Sequence, residues 1–303
     1  MKQKDKMRIC FIGSKQKMET DNLFLEKLKL IADVNYIPIS DISLLIDNGI
    51  NFVYEYEDIS KFDAIFFRIP RAKYNLAASI LEALPKKIIH LNSSKGFYLS
   101  SSKLSLYQNL SHSGINVPRV IFADNPQVSI FDLKLLRFPI LIKVPTDKKK
   151  VMLANSQQEA KSMVDALQVL GQPILFEEYY PEAKLIRLFV LGNEIVASIE
   201  RKPTEVNYGG GLSKKVSPSK KIIKTALDVA DALKTEYLRV DVLDTAEPTV
   251  VDVNLCPLIS DAIEISGVDI ADKVIYYLNS KYESKENVSR LFDEVKSMFN
   301  EKL

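Results

Sequence analysis

Apolar and polar residues alternate in Arg239-Val240-Asp241-Val242 and again in Val251-Asp252-Val253-Asn254. A period of two is the mark of a half-buried strand. Asp244-Thr245-Ala246-Glu247-Pro248 between them reads as a turn, so the two stretches predict a hairpin. Much earlier, short apolar runs alternate with helical patterns. Arg8 to Gly13, Val34 to Ile37, Asp63 to Ile69 and Lys87 to Leu91 predict strands, and Glu19 to Ile31 and Tyr74 to Leu84 predict helices. Strands alternating with helices imply an open, mostly parallel α/β lobe over about residues 7–92.

The texture changes at Asn92-Ser93-Ser94. A helix over Ser102 to Ser113 stops at Gly114 before Val117-Pro118. Phe138 to Val144 and Val151 to Leu153 predict a hairpin closed by Pro145 to Lys150, and Ser156 to Leu170 a helix with Ser156 and Glu159 as a capping box. Pro173 to Glu178, Lys184 to Val190 and Glu194 to Arg201 predict strands, with a helix over Ser217 to Leu233 before the hairpin. Two helices, Asp269 to Leu278 and Val288 to Phe299, finish the chain. From about residue 93 the organisation is therefore α+β with antiparallel sheets.

At 303 residues and 47% hydrophobic, the chain can bury a sizeable core and divides into two or three lobes. Its 41 basic and 39 acidic residues leave +2, so no global field recruits nucleic acid or a membrane surface. Two cysteines, Cys10 and Cys256, argue against a disulfide framework and fit a reducing cytosol, and with only two histidines a Cys/His zinc site is not expected. No signal peptide and no bilayer-spanning segment is read.

Residues i and i+2 of a strand share a face, so Arg239 lies with Asp241 and Asp252 with Asn254. If the two faces coincide, three oxygen ligands and a guanidinium converge. Such hard donors suit Mg²⁺, which takes one or two carboxylates and completes its shell with water and phosphates; the alternative is a polar outer face on an ordinary hairpin. Lys143, at the end of the Ile140-Leu141-Ile142 strand, can meet a phosphate as a point charge or stand solvated, and so can Lys103 at the head of its helix. Glu177-Glu178-Tyr179-Tyr180 ends a strand between two lobes and reads as a hinge or a plain linker. Arg187 and Arg201 are lone cations in apolar strands and need a partner or a ligand. Gly209-Gly210-Gly211, the only glycine run among ten glycines, reads as a substrate loop or a flexible connection. Arg68 and Arg71 straddle the end of a parallel strand, where ligands gather in open α/β sheets. They read as holders of an acidic substrate or as a surface salt bridge.

Taken in order, these features resemble the ATP-grasp fold with an N-terminal α/β pre-ATP-grasp domain, and specifically the RimK-like carboxylate–amine ligases. Members of that family add glutamate to a ribosomal protein, to deazaflavin or pterin coenzymes, or to a lysine-biosynthesis carrier. The resemblance is weak before residue 92 and good from about 100 to 280. It implies three parts: 1–92, a central lid over 93–176 that binds ATP, and 177–303 with the metal site. It implies Asp241, Asp252 and Asn254 on two Mg²⁺ ions (Mn²⁺ as a substitute), Lys103 and Lys143 on phosphates, and Glu177, Glu178, Tyr179 and Tyr180 at an adenine hinge. Arg187, Arg201 and Arg239 would serve catalysis, Arg239 matching the arginine of D-alanine–D-alanine ligases.

The chain departs from the family pattern in several places. Its flap Pro145-Thr146-Asp147-Lys148-Lys149-Lys150 has no glycine, Leu185 replaces the ribose-binding Asp, and the Asp-Phe-Arg-x-Asn loop keeps only Asn207. The partners implied are ATP, a small-molecule or carrier carboxylate and an amino acid, in the cytoplasm, with assembly as a homo-oligomer left open. The expected reaction is amide or peptide-type bond formation through an acyl phosphate. A nucleotide-binding regulator without turnover and an ATP-grasp kinase are the competing readings.

Overall fold

Strand β1 (Met7–Gly13) is buried along almost its whole length because it is the middle strand of a parallel sheet, between β2 (Ala32–Pro38) and β6 (Ala64–Phe67). A strand covered on both faces reads as a continuous apolar run, which is the pattern found at Ile9 to Ile12. Helix α1 (Glu19–Ile31) makes the crossover and buries Phe24, Leu25 and Leu28. Between β2 and β6 the chain adds an antiparallel sheet of β3 (Ser43–Asp47), β4 (Gly49–Tyr54) and β5 (Glu57–Asp58), which the sequence reading did not anticipate. The computed structural model describes residues 6–54, 57–125, 130–144, 150–167, 171–201 and 213–300.

The strand expected over Lys87 to Leu91 is a single parallel bridge, Ala64 to Ile89. Ile88 N–H turns back to Pro85 O, and the side chain of Asn92 is tied to the carbonyls of Tyr237 and Leu255, so only Ile89 keeps sheet register. A 3₁₀ turn over Arg71–Lys73 leads into α2 (Tyr74–Ala83). Ser93 caps α3 (Ser94–Ser100), a helix that was not expected, and Ser102 caps α4 (Lys103–His112), the helix expected over Ser102 to Ser113. Gly96 is required because a Cβ there would sit 2.2 Å from Thr235 Oγ1.

The middle of the chain forms a four-stranded antiparallel sheet in the order β7-β10-β8-β9, from β7 (Val120–Ala123), β8 (Ile140–Val144), β9 (Lys150–Ala154) and β10 (Ile174–Glu178). Helix α5 (Gln157–Leu167) packs on it, and Leu133, Ile142, Val164 and Phe176 form a core of its own. Next come β11 (Lys184–Leu191), β12 (Glu194–Arg201), β13 (Ser213–Lys215), α6 (Lys220–Leu233), β14 (Tyr237–Asp244) and β15 (Thr249–Asn254). Their strands make a five-stranded antiparallel sheet in the order β13-β12-β11-β14-β15. After α7 (Ser260–Ser266), one helix α8 (Ile270–Asn300) replaces the two expected, since no Gly or Pro interrupts residues 279–287.

The N-terminal parallel sheet and the five-stranded sheet share their cores. Cys10, Ile12, Phe67 and Phe97 pack in one cluster with Val190 and Val240, and Phe11, Phe24 and Phe66 pack in another with Phe189 and Ile270. Arg68 fastens the joint. It is fully buried, with Nε 3.1 Å from Asp21 Oδ1, a hydrogen bond of 2.5 Å to Pro257 O and its guanidinium 5.3 Å from the Phe24 ring centroid. It is thus a structural clamp: of the two readings for Arg68 the structure shows the ion pair, but in the interior and not on the surface. Removing one partner of a buried ion pair strands the other charge. Asp21→Ala is expected to cost roughly 3–5 kcal/mol in urea unfolding with the slope unchanged; a loss under about 1 kcal/mol would contradict the clamp.

Candidate functional site

The β14–β15 hairpin pairs Arg239 with Asn254 and Asp241 with Asp252, so the two expected faces do coincide. On the other side of β14, Asp241 lies opposite Arg187 of β11. A β-bulge after Asp241 shifts the register so that Val242 faces Val250. The bulge turns Val251 C=O off the ladder. There it accepts from Tyr107 Oη at 2.9 Å and from Lys103 Nζ, both on α4.

Two carboxylates and four cations meet here. Arg187 grips Asp241 with two bonds of 2.9 Å, and Arg239 Nε lies 3.1 Å from the same carboxylate. Asp252 Oδ1 takes Arg71 and Lys103, each at 3.0 Å, while Oδ2 takes Arg239 at 2.9 Å. Burial alone would raise the Asp252 pKa, but Arg71, Lys103 and Arg239 outweigh it and hold the carboxyl well below the usual range. Burial pushes the Lys103 ammonium below its ordinary value, against the pull of Asp252 and with the help of nearby Lys143. Asn254 Oδ1 accepts from Tyr74 Oη at 3.0 Å and from Cys256 N–H at 2.9 Å.

The four-stranded sheet joins this network through Glu177, which is fully buried, 2.6 Å from Lys143 Nζ and bonded to Tyr107 Oη at 3.1 Å. Lys143 and Glu177 form a diagonal cross-strand pair on β8 and β10. Two hinge N–H groups are engaged: Glu178 donates to Arg119 O and Tyr179 to Pro139 O. The Glu178 carboxylate accepts from Arg137 N–H and Tyr180 Oη. Between hinge and cations, Leu185, Leu243 and Val251 form a small apolar cluster flanked by Tyr180 and Ala183. Arg201, on the strand next to Arg187, bonds Asp261 at 2.5 Å and feels the charges of Arg187, Asp241 and Arg239.

Asn207, Gly209-Gly210-Gly211 and the flap over 145–149 lie outside the described residues. Cys256 is a packed thiol, its pKa pushed up to about 11 by burial. The sequence reading missed Tyr107 and Tyr74. Tyr107 had a signal, since it follows Lys103 by one helical turn. A cleft of about 980 Å³ between the β11–β12 turn, α6 and α8, and another of about 520 Å³ beside His90, share no residue with this cluster.

Two carboxylates and an amide oxygen on one sheet face are donor types that Mg²⁺ takes, so the residues fit a divalent ion. Among the described residues no group of three or more His, Cys, Asp or Glu could hold a metal. Mg²⁺ needs only one or two carboxylates, and Asn254 adds an amide oxygen. The surplus of basic over acidic side chains fits a polyphosphate.

Two antiparallel sheets that share such a cluster define the ATP-grasp fold, and solved structures agree. The RimK domain protein ATP-grasp from Sphaerobacter thermophilus superimposes with TM-score 0.68 at 18% identity, covering 89% of this chain and 99% of that one. The D-alanine–D-alanine ligase from Bacillus anthracis complexed with ATP gives 0.69 at 17% identity, covering 93% and 100%. The family model of the RimK-like ATP-grasp domain matches residues 100–278. A probable alpha-L-glutamate ligase of Serratia proteamaculans is 31% identical over 240 residues, 75% of this chain and 80% of that protein. One of Picosynechococcus sp. is 30% identical over 251 residues, 79% and 83%. The chain belongs to the RimK-like ATP-grasp family and is an ATP-dependent ligase. No helix among the described residues is long and apolar enough to cross a membrane.

Because the Asp252 carboxyl is depressed in the folded state, its contribution to stability is complete above the unfolded-state pKa of about 3.9. It is lost as pH falls through the lower folded value. Asp252→Asn is expected to be less stable than the parent by on the order of 3 kcal/mol near pH 7. The gap should close on acidification below about pH 4. Urea midpoints across this range check it, and a gap that stays constant would contradict the charge assignment.

Proposed function

We propose that the chain joins an amino acid, glutamate in the first instance, to a carboxylate acceptor, through attack of that carboxylate on the γ-phosphate of ATP and then of the amine on the acyl phosphate. The observation that carries this reading is the Asp241–Asp252 pair ringed by Arg71, Lys103, Arg187 and Arg239, with Lys143 beside it. The glutamate assignment is supported by the names of the Serratia and Picosynechococcus relatives. A cytoplasmic setting is supported by two buried free cysteines.

In this reading Lys103 and Lys143 hold the phosphates of ATP, with the hinge at Glu177 to Tyr180 beside the base. A divalent ion held by Asp241, Asp252 and Asn254 would offset charge on the transferring phosphoryl group. Arg239 and Arg187 are fixed by their carboxylates. Such preorganised donors steady the acyl phosphate oxygens and the oxyanion that forms when the amine attacks. Arg201, braced by Asp261, is assigned to the incoming substrate. Each element needed for phosphoryl transfer and amide formation is a charge or a dipole, and no covalent protein nucleophile takes part. We also propose the three-part division at residues 92 and 176, in which the four-stranded sheet with its separate core is the part that closes over ATP.

Incubation with Mg²⁺, ATP, hydroxylamine and a panel of carboxylic acids is expected to yield hydroxamate and ADP in equal amounts. A stable phosphorylated product would identify a kinase, and ATP binding without turnover a regulator. Asp252→Ala is expected to lower kcat at least about a hundredfold. The native circular dichroism spectrum should be kept; an active, folded variant would remove Asp252 from the reaction.

A further inference from the structure

Arg71 stands apart from the other cations of the cluster. Lys103 opens α4, and Arg187 and Arg239 lie on the five-stranded sheet, whereas Arg71 follows β6 of the N-terminal parallel sheet. Its guanidinium crosses to β15, where it bonds Asp252 Oδ1 at 3.0 Å and Val253 O. Unlike Arg68, which is fully buried, its side chain is 31% exposed and has room to leave. Asp252 Oδ1 is shared between Arg71 and Lys103 while Oδ2 is held by Arg239, so the carboxylate already has cations on both oxygens. Asp241 is likewise covered by Arg187 and Arg239.

A divalent ion approaching these carboxylates meets more resident positive charge than negative. It has to displace a guanidinium or an ammonium and then lie beside it. A polyphosphate changes this, because it gives the displaced side chains an anion to turn to. From this we propose that Arg71 is a positioning residue that occupies the cation place on Asp252 in the free protein, so that a divalent metal enters only together with a nucleotide, Arg71 passing from the carboxylate to the phosphates. The inference rests on reading Asp241 and Asp252 as metal carboxylates and is independent of which acid and amine are joined. Because Arg71 belongs to the N-terminal lobe, the same exchange would release that lobe's hold on Asp252 and Val253 whenever metal and nucleotide arrive. Coupling of this kind is reciprocal: metal must strengthen nucleotide binding by the factor by which nucleotide strengthens metal binding.

Free Mn²⁺, followed by its electron paramagnetic resonance signal, is titrated into the full chain with and without saturating ADP. The unaltered protein is expected to bind Mn²⁺ at least about thirtyfold more tightly with ADP. In Arg71→Met the nucleotide-free affinity should rise about tenfold. In Arg71→Lys, which keeps the charge, it should stay within about threefold of the parent. Equal Mn²⁺ affinity with and without ADP in the unaltered protein overturns the proposal, and needs no variant to do so. An unchanged nucleotide-free affinity in a folded Arg71→Met protein overturns it as well, leaving Arg71 a lobe-to-lobe strut. Failure to bind Mn²⁺ even with ADP overturns both this inference and the metal reading beneath it, whereas a ligase assay that fails while Mn²⁺ binding behaves as expected removes only the proposed reaction.

Discussion

The Asp252 carboxylate is the point at which three stretches far apart in the sequence meet. It receives Arg71 from the N-terminal lobe, Lys103 from α4 and Arg239 from its own hairpin partner strand. A half-covered carboxylate with one cation would be an unremarkable ion pair. With three it becomes the common counter-charge that lets like-charged side chains stand together. Without it, Arg71, Lys103 and Arg239 would repel one another and the basic surplus that suits a polyphosphate would disperse.

The backbone beneath explains why the cluster can form. The hairpin places Asp241 directly across from Asp252, and β11 brings Arg187 opposite Asp241. The bulge beyond Asp241 then presents Val251 C=O to Lys103 and Tyr107, which anchors α4 over the strand end. From the other side, Arg68, Arg71 and Tyr74 fasten residues 252–257 to the N-terminal lobe. Tyr107 also reaches Glu177, so the four-stranded sheet is linked to the same strand end through one hydroxyl. The central sheet keeps its own apolar core, so its ties to this strand end are polar and few.

Much of this was legible in the sequence because it rests on periodicity. The two-residue alternation at Arg239 to Val242 and Val251 to Asn254 placed four polar side chains on one face, and the structure brings them together. The buried runs of β1 and β6 and the span of α1 were readable for the same reason. What escaped depends on tertiary contacts that no local pattern encodes. The bulge is a register shift of one residue. The Lys87–Leu91 segment has a strand-like composition but is held by the Asn92 side chain and by a turn at Pro85. Arg68 and Arg71 lie three residues apart and looked equivalent; only the fold sends one into the interior against Asp21 and the other onto Asp252. The helix from Ser102 was readable, whereas α3 before it was not, since serine favours caps over helix interiors; Ser93 and Ser102 do cap two successive helices.

In the proposed reaction Asp241 and Asp252 exchange basic side chains for a metal when the triphosphate arrives. A crystal structure of the full chain with Mg²⁺ and a non-hydrolysable ATP analogue tests this most directly. Metal density is expected on both carboxylates, with the terminal phosphates against Lys103 and Lys143 and Arg71 withdrawn from Asp252. A nucleotide bound elsewhere, or carboxylates still paired with Arg71 and Lys103 beneath an occupied phosphate site, would contradict it.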